Sequence, residues 1–143
     1  MNFIKKELFG GIKLIFEMTI QVRVKDFKKG QKWYQILFNR DPDFMPHEHF
    51  AEWEIISGCW LQVAEGTPSE ASGPLRLGVT NIAGERERLV RELNIDKFEI
   101  YSRDEVPVKW GTFKDPWGNR LGLFEYLDKT EEKERIKTLV VNK

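Results

Sequence analysis

The chain has 143 residues, room for one domain with a sizeable core. Its 41% apolar and 13% aromatic content excludes a disordered chain. With 23 basic residues against 23 acidic ones there is no net charge to draw in a phosphate backbone, so no nucleic-acid partner is expected. The one cysteine, Cys59, excludes an intrachain disulfide and a cysteine-rich metal cluster, and fits a reducing, cytoplasmic setting.

Residues 1–17 read as an N-terminal extension. The apolar run Leu8–Phe16 is interrupted by Lys13 and closed by Glu17, far short of the roughly 20 residues a membrane span needs, so no membrane partner is expected either. From Met18 the pattern alternates: Ile20, Val22 and Val24 on one face, Thr19, Gln21 and Arg23 on the other. Asp26 stands where a helix N-cap belongs, and Phe27, Trp33/Tyr34 and Leu37/Phe38 recur at helical spacing. Asn39–Pro46 reads as a loop or short edge strand, and Ala51–Ser57 and Trp60–Glu65 as a hairpin. Residues 67–74 are a polar linker.

The same order then returns. Leu75, Leu77 and Val79 form a strand, Asn81 begins a helix whose buried face is Leu89, Val90 and Leu93, and Glu87 is spaced to pair with Arg91. Phe98–Ser102, Val108–Lys114 and Leu121–Leu127 read as three further strands, the last two joined by a tight turn at Asp115-Pro116-Trp117-Gly118-Asn119. Strand–helix–strand–strand–strand thus occurs twice at a constant offset, Val24 answering to Val79, Asp26 to Asn81 and Phe27 to Ile82. Module one is 18–66 and module two 75–127. Residues 128–143 form a C-terminal helix, with Asp128 and Glu131 at capping-box spacing and Ile136, Leu139 and Val140 on one stripe, placed to pack on the domain or on a partner chain.

This α+β arrangement of two tandem βαβββ modules over 18–127 resembles the glyoxalase / bleomycin-resistance / extradiol-dioxygenase group, the vicinal oxygen chelate superfamily. The most specific stretch is Phe113-Lys114-Asp115-Pro116-Trp117-Gly118-Asn119-Arg120-Leu121-Gly122-Leu123-Phe124-Glu125; Val24-x-Asp26, Trp33-Tyr34 and Leu37-Phe38 add to it. The resemblance implies curved sheets around a cup, helices on the convex faces, and sheet edges covered by pairing into a homodimer. It also implies, for metal-dependent members, ligands on four strands. Glu125 matches the closing carboxylate, but Thr19, Gln62 and Pro74 stand at the other ligand positions. One good ligand in four cannot hold a transition metal, so no cofactor is expected.

The residues expected to line the cup are Thr19, Arg23, Trp60, Gln62, Arg76, Trp110 and Leu123, with Glu125 as the candidate catalytic group. Arginines and aromatic rings in one concavity suit an aromatic or anionic small molecule. Glu125 reads either as a general base in the cup or as an ion-pair member facing Arg23 or Arg76. If it lies free in the cup, Glu125→Gln changes ligand affinity more than stability. His47-Glu48-His49 has a spacing that can chelate zinc when extended, but Asp41, Pro42, Asp43 and Pro46 mark a loop, and the resemblance implies a lid over the cup there instead. Cys59 reads as an inert thiol. A metal-free binding protein is the first reading, a lyase-like, isomerase-like or dioxygenase-like enzyme using Glu125 as base or metal ligand the second, and a structural or regulatory dimer without ligand the third.

Overall fold

The computed structural model describes residues 17–69 and 74–141. Readings that concern residues 1–16 lie outside them. Module one consists of β1 (Met18–Val24), α1 (Phe27–Phe38), β2 (Phe44–His47), β3 (Phe50–Ile56) and β4 (Cys59–Glu65), with strand order β1-β4-β3-β2. Module two consists of β5 (Leu75–Gly78), α2 (Ile82–Leu93), β6 (Val108–Lys114) and β7 (Arg120–Tyr126), in order β5-β7-β6. The C-terminal helix α3 spans Lys129–Val141. Each module is closed by a parallel pair across its helix, β1 on β4 and β5 on β7.

The repeat extends to the helix caps. Asp26 accepts from the Lys29 N–H and Asn81 from the Gly84 N–H, each satisfying a donor the first turn leaves free. Both helices run 12 residues and end on a left-handed asparagine, Asn39 and Asn94, at the same offset as the N-caps. α1 buries Phe27, Gly30, Trp33, Tyr34 and Leu37 as one stripe. Gly30 is required by close approach: a Cβ there would stand 2.6 Å from Cγ2 of Val24, fully buried on β1. α2 buries Ile82 and Leu89. Expected partners Glu87 and Arg91 do not meet; Arg91 turns to Glu92 at 3.5 Å, while Arg88 pairs with Glu85 and Glu92. The Arg88 guanidinium also donates to the carbonyls of Ile36 and Leu37 at 2.9 and 3.0 Å, capping the end of α1 from the other module.

One core runs through both modules, from Val24, Trp33 and Trp53 to Leu121 and Leu123. A buried polar latch ties it together. Asp115 Oδ1 accepts the N–H groups of Trp117 and Asn119, and Oδ2 accepts the Tyr34 hydroxyl at 2.9 Å and Asn119 Nδ2 at 2.7 Å. Asn119 Nδ2 also reaches the Arg23 carbonyl at the end of β1. Burial, then the Asp115 charge and hydrogen bond, raise the Tyr34 pKa well above its ordinary value.

One expected strand does not form. Phe98–Ser102 makes a single bridge, Tyr101 to Trp110, and residues 94–100 have no regular structure. Continuing that register would set Lys97 opposite Lys114 and Asp96 opposite Asp115. Like charges directly across a pair oppose the ladder. Phe98 still stacks on Phe113 (ring centroids 5.3 Å apart), so the segment follows β6 and then departs from it.

Candidate functional site

Each sheet has one face under its helix and one open face, and strand alternation decides which side chains reach the open face. On sheet one these are Thr19, Gln21 and Arg23 of β1, Trp60 and Gln62 of β4, and Glu52 of β3, with Gln21, Gln62 and Glu52 in register. Four of them are linked in a chain of hydrogen bonds, and among the described residues no carboxylate pairs with Arg23. Arg23 Nε donates to Gln21 Oε1 (3.0 Å), Gln21 to Gln62 (3.3 Å) and Gln62 to Glu52 (3.5 Å). Trp60 stacks on Phe44 of β2 (5.8 Å) and donates its Nε1–H to Glu17 at 2.9 Å.

The open face of sheet two carries Arg76, Thr112, Trp110, Phe124 and Tyr126. Arg76 lies across Gly122, where a Cβ would stand 3.0 Å from its Cγ and 3.2 Å from its Nε, and donates to Thr112 Oγ1 at 3.0 Å. Glycine at 122 makes room for both the Gly111 carbonyl, the nearest neighbour a Cβ would meet, and the Arg76 side chain. Among the described residues no carboxylate pairs with Arg76. Beside it a cleft of about 500 Å³ is lined by Arg76, Arg103, Val106, Val108, Trp110 and Phe124. α3 bounds the far end of this face: the Arg135 guanidinium sits 4.9 Å from the Tyr126 ring centre, and Ile136 and Leu139 face Phe124 and Ile56 across about 270 Å³.

Two of the expected site residues sit on the other side. On β7 the alternation puts Gly122, Phe124 and Tyr126 on the open face and Leu121, Leu123 and Glu125 under α2. Leu123 is a core residue, 1% exposed. Glu125 is 8% exposed and accepts the Ile82 N–H at the start of α2 (2.8 Å) and Lys129 Nζ of α3 (2.6 Å), with Lys109 Nζ at 3.9 Å. Its partners are these lysines, not Arg23 or Arg76. Burial alone would raise its pKa; the Lys129 and Ile82 hydrogen bonds and the two lysine charges outweigh this and hold it below 4.5. A carboxylate facing α2 cannot act on a molecule in the open-face cleft.

Thr19, Arg23, Trp60, Gln62, Arg76 and Trp110 stand on open faces, as alternation predicts. Arg103, Phe124 and Gly122 were missed; alternation along β7, opposite Trp110, would have placed the last two. His47 ends β2 and packs against Phe50 (5.2 Å), whereas His49 lies in the following turn with Nδ1 2.9 Å from Glu65, so the two imidazoles do not share a strand face. Among the described residues no three of His, Cys, Asp and Glu gather to hold a metal. The groups at the matching positions, a hydroxyl, a carboxamide and proline, do not fit a divalent transition ion. Cys59 lines an apolar cavity of about 300 Å³ with Met18, Ile20, Leu75 and Leu77.

A βαβββ unit and a βαββ unit on a common core, each with an open face bearing arginine and aromatic side chains, define an α+β protein. No family model matches the sequence, and no curated protein matches it. Solved structures do. A glyoxalase / bleomycin resistance protein from Catenulispora acidiphila is 27% identical, aligned over 78% of this chain and 98% of that one with a TM-score of 0.60. The genomically encoded fosfomycin resistance protein FosX from Listeria monocytogenes is 16% identical over 79% and 92% of the two chains, with a TM-score of 0.64. A glyoxalase-related enzyme from Clostridium phytofermentans is 15% identical over 80% and 98%, with a TM-score of 0.63. The chain thus shares the fold of the glyoxalase / bleomycin-resistance, or vicinal oxygen chelate, superfamily. Among the described residues no helix is long and apolar enough to cross a membrane.

Proposed function

We propose that the protein binds a small aromatic or anionic molecule, without a metal, on the open face of module two, and that it works as a homodimer. The observation that carries this reading is Arg76: a guanidinium without a carboxylate partner beside a cleft walled by Trp110 and Phe124. Aromatic walls hold a planar body, and an unpaired guanidinium takes an acid in a forked pair of hydrogen bonds. About 500 Å³ suits a drug-sized ligand. For the dimer, the support is apolar surface. Met18 and Phe44 are 55% and 61% exposed, and Met45 and Ile56 are exposed as well. The outer strand β2 leaves a sheet edge that a second copy can cover.

Calorimetric titration with a panel of aromatic acids, neutral isosteres and aromatic amines tests the reading. An aromatic acid is expected to bind and the matching amine not to. Binding of amines in preference to acids overturns it. On the same preparation, light scattering is expected to give twice the chain mass, and elemental analysis well below one metal per chain.

A further inference from the structure

The described residues leave a second apolar surface uncovered, independent of the ligand proposed above. Two cavities, of about 300 and 270 Å³, share Ile56, Gly78 and Phe124 as common walls and so join into one trench. A Cβ at Gly78 would stand 2.8 Å from Cζ of Phe124, so glycine lets the Phe124 ring lie against β5 where the two meet. Met18 and Ile20 of β1, Ile56 of β3 and Ile136 of α3 line the trench and are 38% to 55% exposed. The three charged side chains on its walls are engaged elsewhere. Arg76 reaches over Gly122 to Thr112, on the far side of β7 from β5, while Glu132 pairs with Lys129 and Arg135 with Glu131, each at 3.1 Å. The trench therefore takes apolar side chains and asks for no charge.

The chain enters beside it. Glu17, the first described residue, accepts the Trp60 Nε1–H at 2.9 Å, and the Met18 N–H donates to the Gly58 carbonyl at 2.7 Å. Met18 and Trp60 both line the trench, so residues 1–16, which lie outside the described residues, join the domain at its edge. Six of the nine residues from Leu8 to Phe16 are large and apolar, a stretch that itself needs cover from water. Ten residues separate Leu8 from Met18, a reach of about 15 Å if helical and about 33 Å if extended.

We infer that the trench is the docking surface for residues 8–16 of the same chain, with Leu8, Phe9, Ile12, Leu14, Ile15 and Phe16 supplying the apolar side chains. Phe44 and Met45 line neither cavity, so they and the β2 edge remain for a second copy. Phe124 also walls the Arg76 cleft, so the docked segment packs against one wall of that cleft.

The test uses the full chain. Cys59 is its only cysteine and lines the trench, so alkylation by iodoacetamide reads whether the trench is covered. Wild type is expected to react about tenfold or more slowly than Ile12→Asp/Ile15→Asp, with dispersed amide spectra showing both folded. Equal rates overturn the proposal. So does a wild-type rate that rises on dilution, which would make a second copy the cover. Should the double variant not fold, a photoactivated benzophenone side chain in place of Phe9 carries the test. Its cross-links are expected in the peptides that hold Ile56, Leu77 or Ile136. In an equal mixture of ¹⁵N-labelled and unlabelled protein they are expected within single chains. Cross-links absent from these peptides, or joining labelled to unlabelled chains there, overturn the proposal.

Discussion

Module one and module two share helix length, N-cap and C-cap chemistry and the parallel crossover, yet they use their open faces differently. In module one, polar side chains hydrogen-bond to each other from Arg23 through Gln21 and Gln62 to Glu52, and Trp60 is stacked and hydrogen-bonded. In module two, Arg76 finds only Thr112 and stands against aromatic rings. A group already satisfied gains little from a ligand, because binding exchanges one hydrogen bond for another. Among the described residues neither Arg23 nor Arg76 meets a carboxylate, but Arg76 also lies beside a cleft of about 500 Å³ walled by Trp110 and Phe124. Two copies of one plan thus differ in what surrounds the arginine: a chain of hydrogen-bonded polar side chains in module one, an aromatic-walled cleft in module two.

The edges diverge as well. β2 pairs with β3 in module one, whereas the corresponding segment of module two forms one bridge to β6, at Tyr101, among the described residues. Charge makes the difference: no like-charged pair faces across β2 and β3, while Lys97 and Lys114 would meet across the other pair.

The largest effect is expected where the modules join. Asp115→Ala removes the acceptor of four hydrogen bonds and leaves the Tyr34 hydroxyl buried without a partner. The stability loss expected from urea unfolding is about 3 kcal/mol or more. A loss below about 1 kcal/mol would mean that the modules hold together without the latch.

Glu125→Gln comes next, and here the structure reverses the expectation for a residue free in the cup. The carboxylate tethers the start of α2 to α3, so the substitution is expected to lower the unfolding midpoint by roughly 3–5 °C and leave ligand affinity unchanged. Its pKa is depressed on folding, so its stabilising contribution is complete above the ordinary value of 4.5 and is lost as pH falls through the lower folded value. The gap between wild type and variant is therefore expected to close below about pH 4.5. A gap that persists unchanged into strong acid would assign the effect to packing.

The smallest effect tests the edge. Lys97→Glu replaces a like-charged pair across β6 with an opposite one and is expected to add roughly 0.2–1 kcal/mol of stability. Slower hydrogen exchange at residues 97–99 would report the added pairing. Unchanged exchange would mean that charge is not what keeps the strand from forming.

Period-2 and helical spacing carried the element order, both N-caps and the repeat into this structure, because burial under one helix dictates that pattern locally. Alternation likewise placed Arg23, Gln62, Arg76 and Trp110 correctly. The misplaced residues, Leu123 and Glu125, come from matching a motif by position along β7 without carrying the alternation through it; Phe124, opposite Trp110, marks the open face. The missing strand needed a cross-strand register, which no single segment contains. The latch was out of reach for the same reason: Asp115 and Asn119 read as turn formers, and only the tertiary approach of Tyr34 and Arg23 makes them a joint.

The claim that binding resides in module two is tested most directly by calorimetric titration of the tightest aromatic acid from the panel against wild type, Arg76→Gln and Arg23→Gln. A hydrogen-bonded charge at a ligand acid is worth about 1.5–3 kcal/mol, so Arg76→Gln is expected to lose about tenfold or more in affinity. Arg23→Gln, which removes a guanidinium from the open face of module one and not from the aromatic-walled cleft, is expected to cost less than about threefold. Equal losses in the two variants, or a loss confined to Arg23→Gln, would contradict the account.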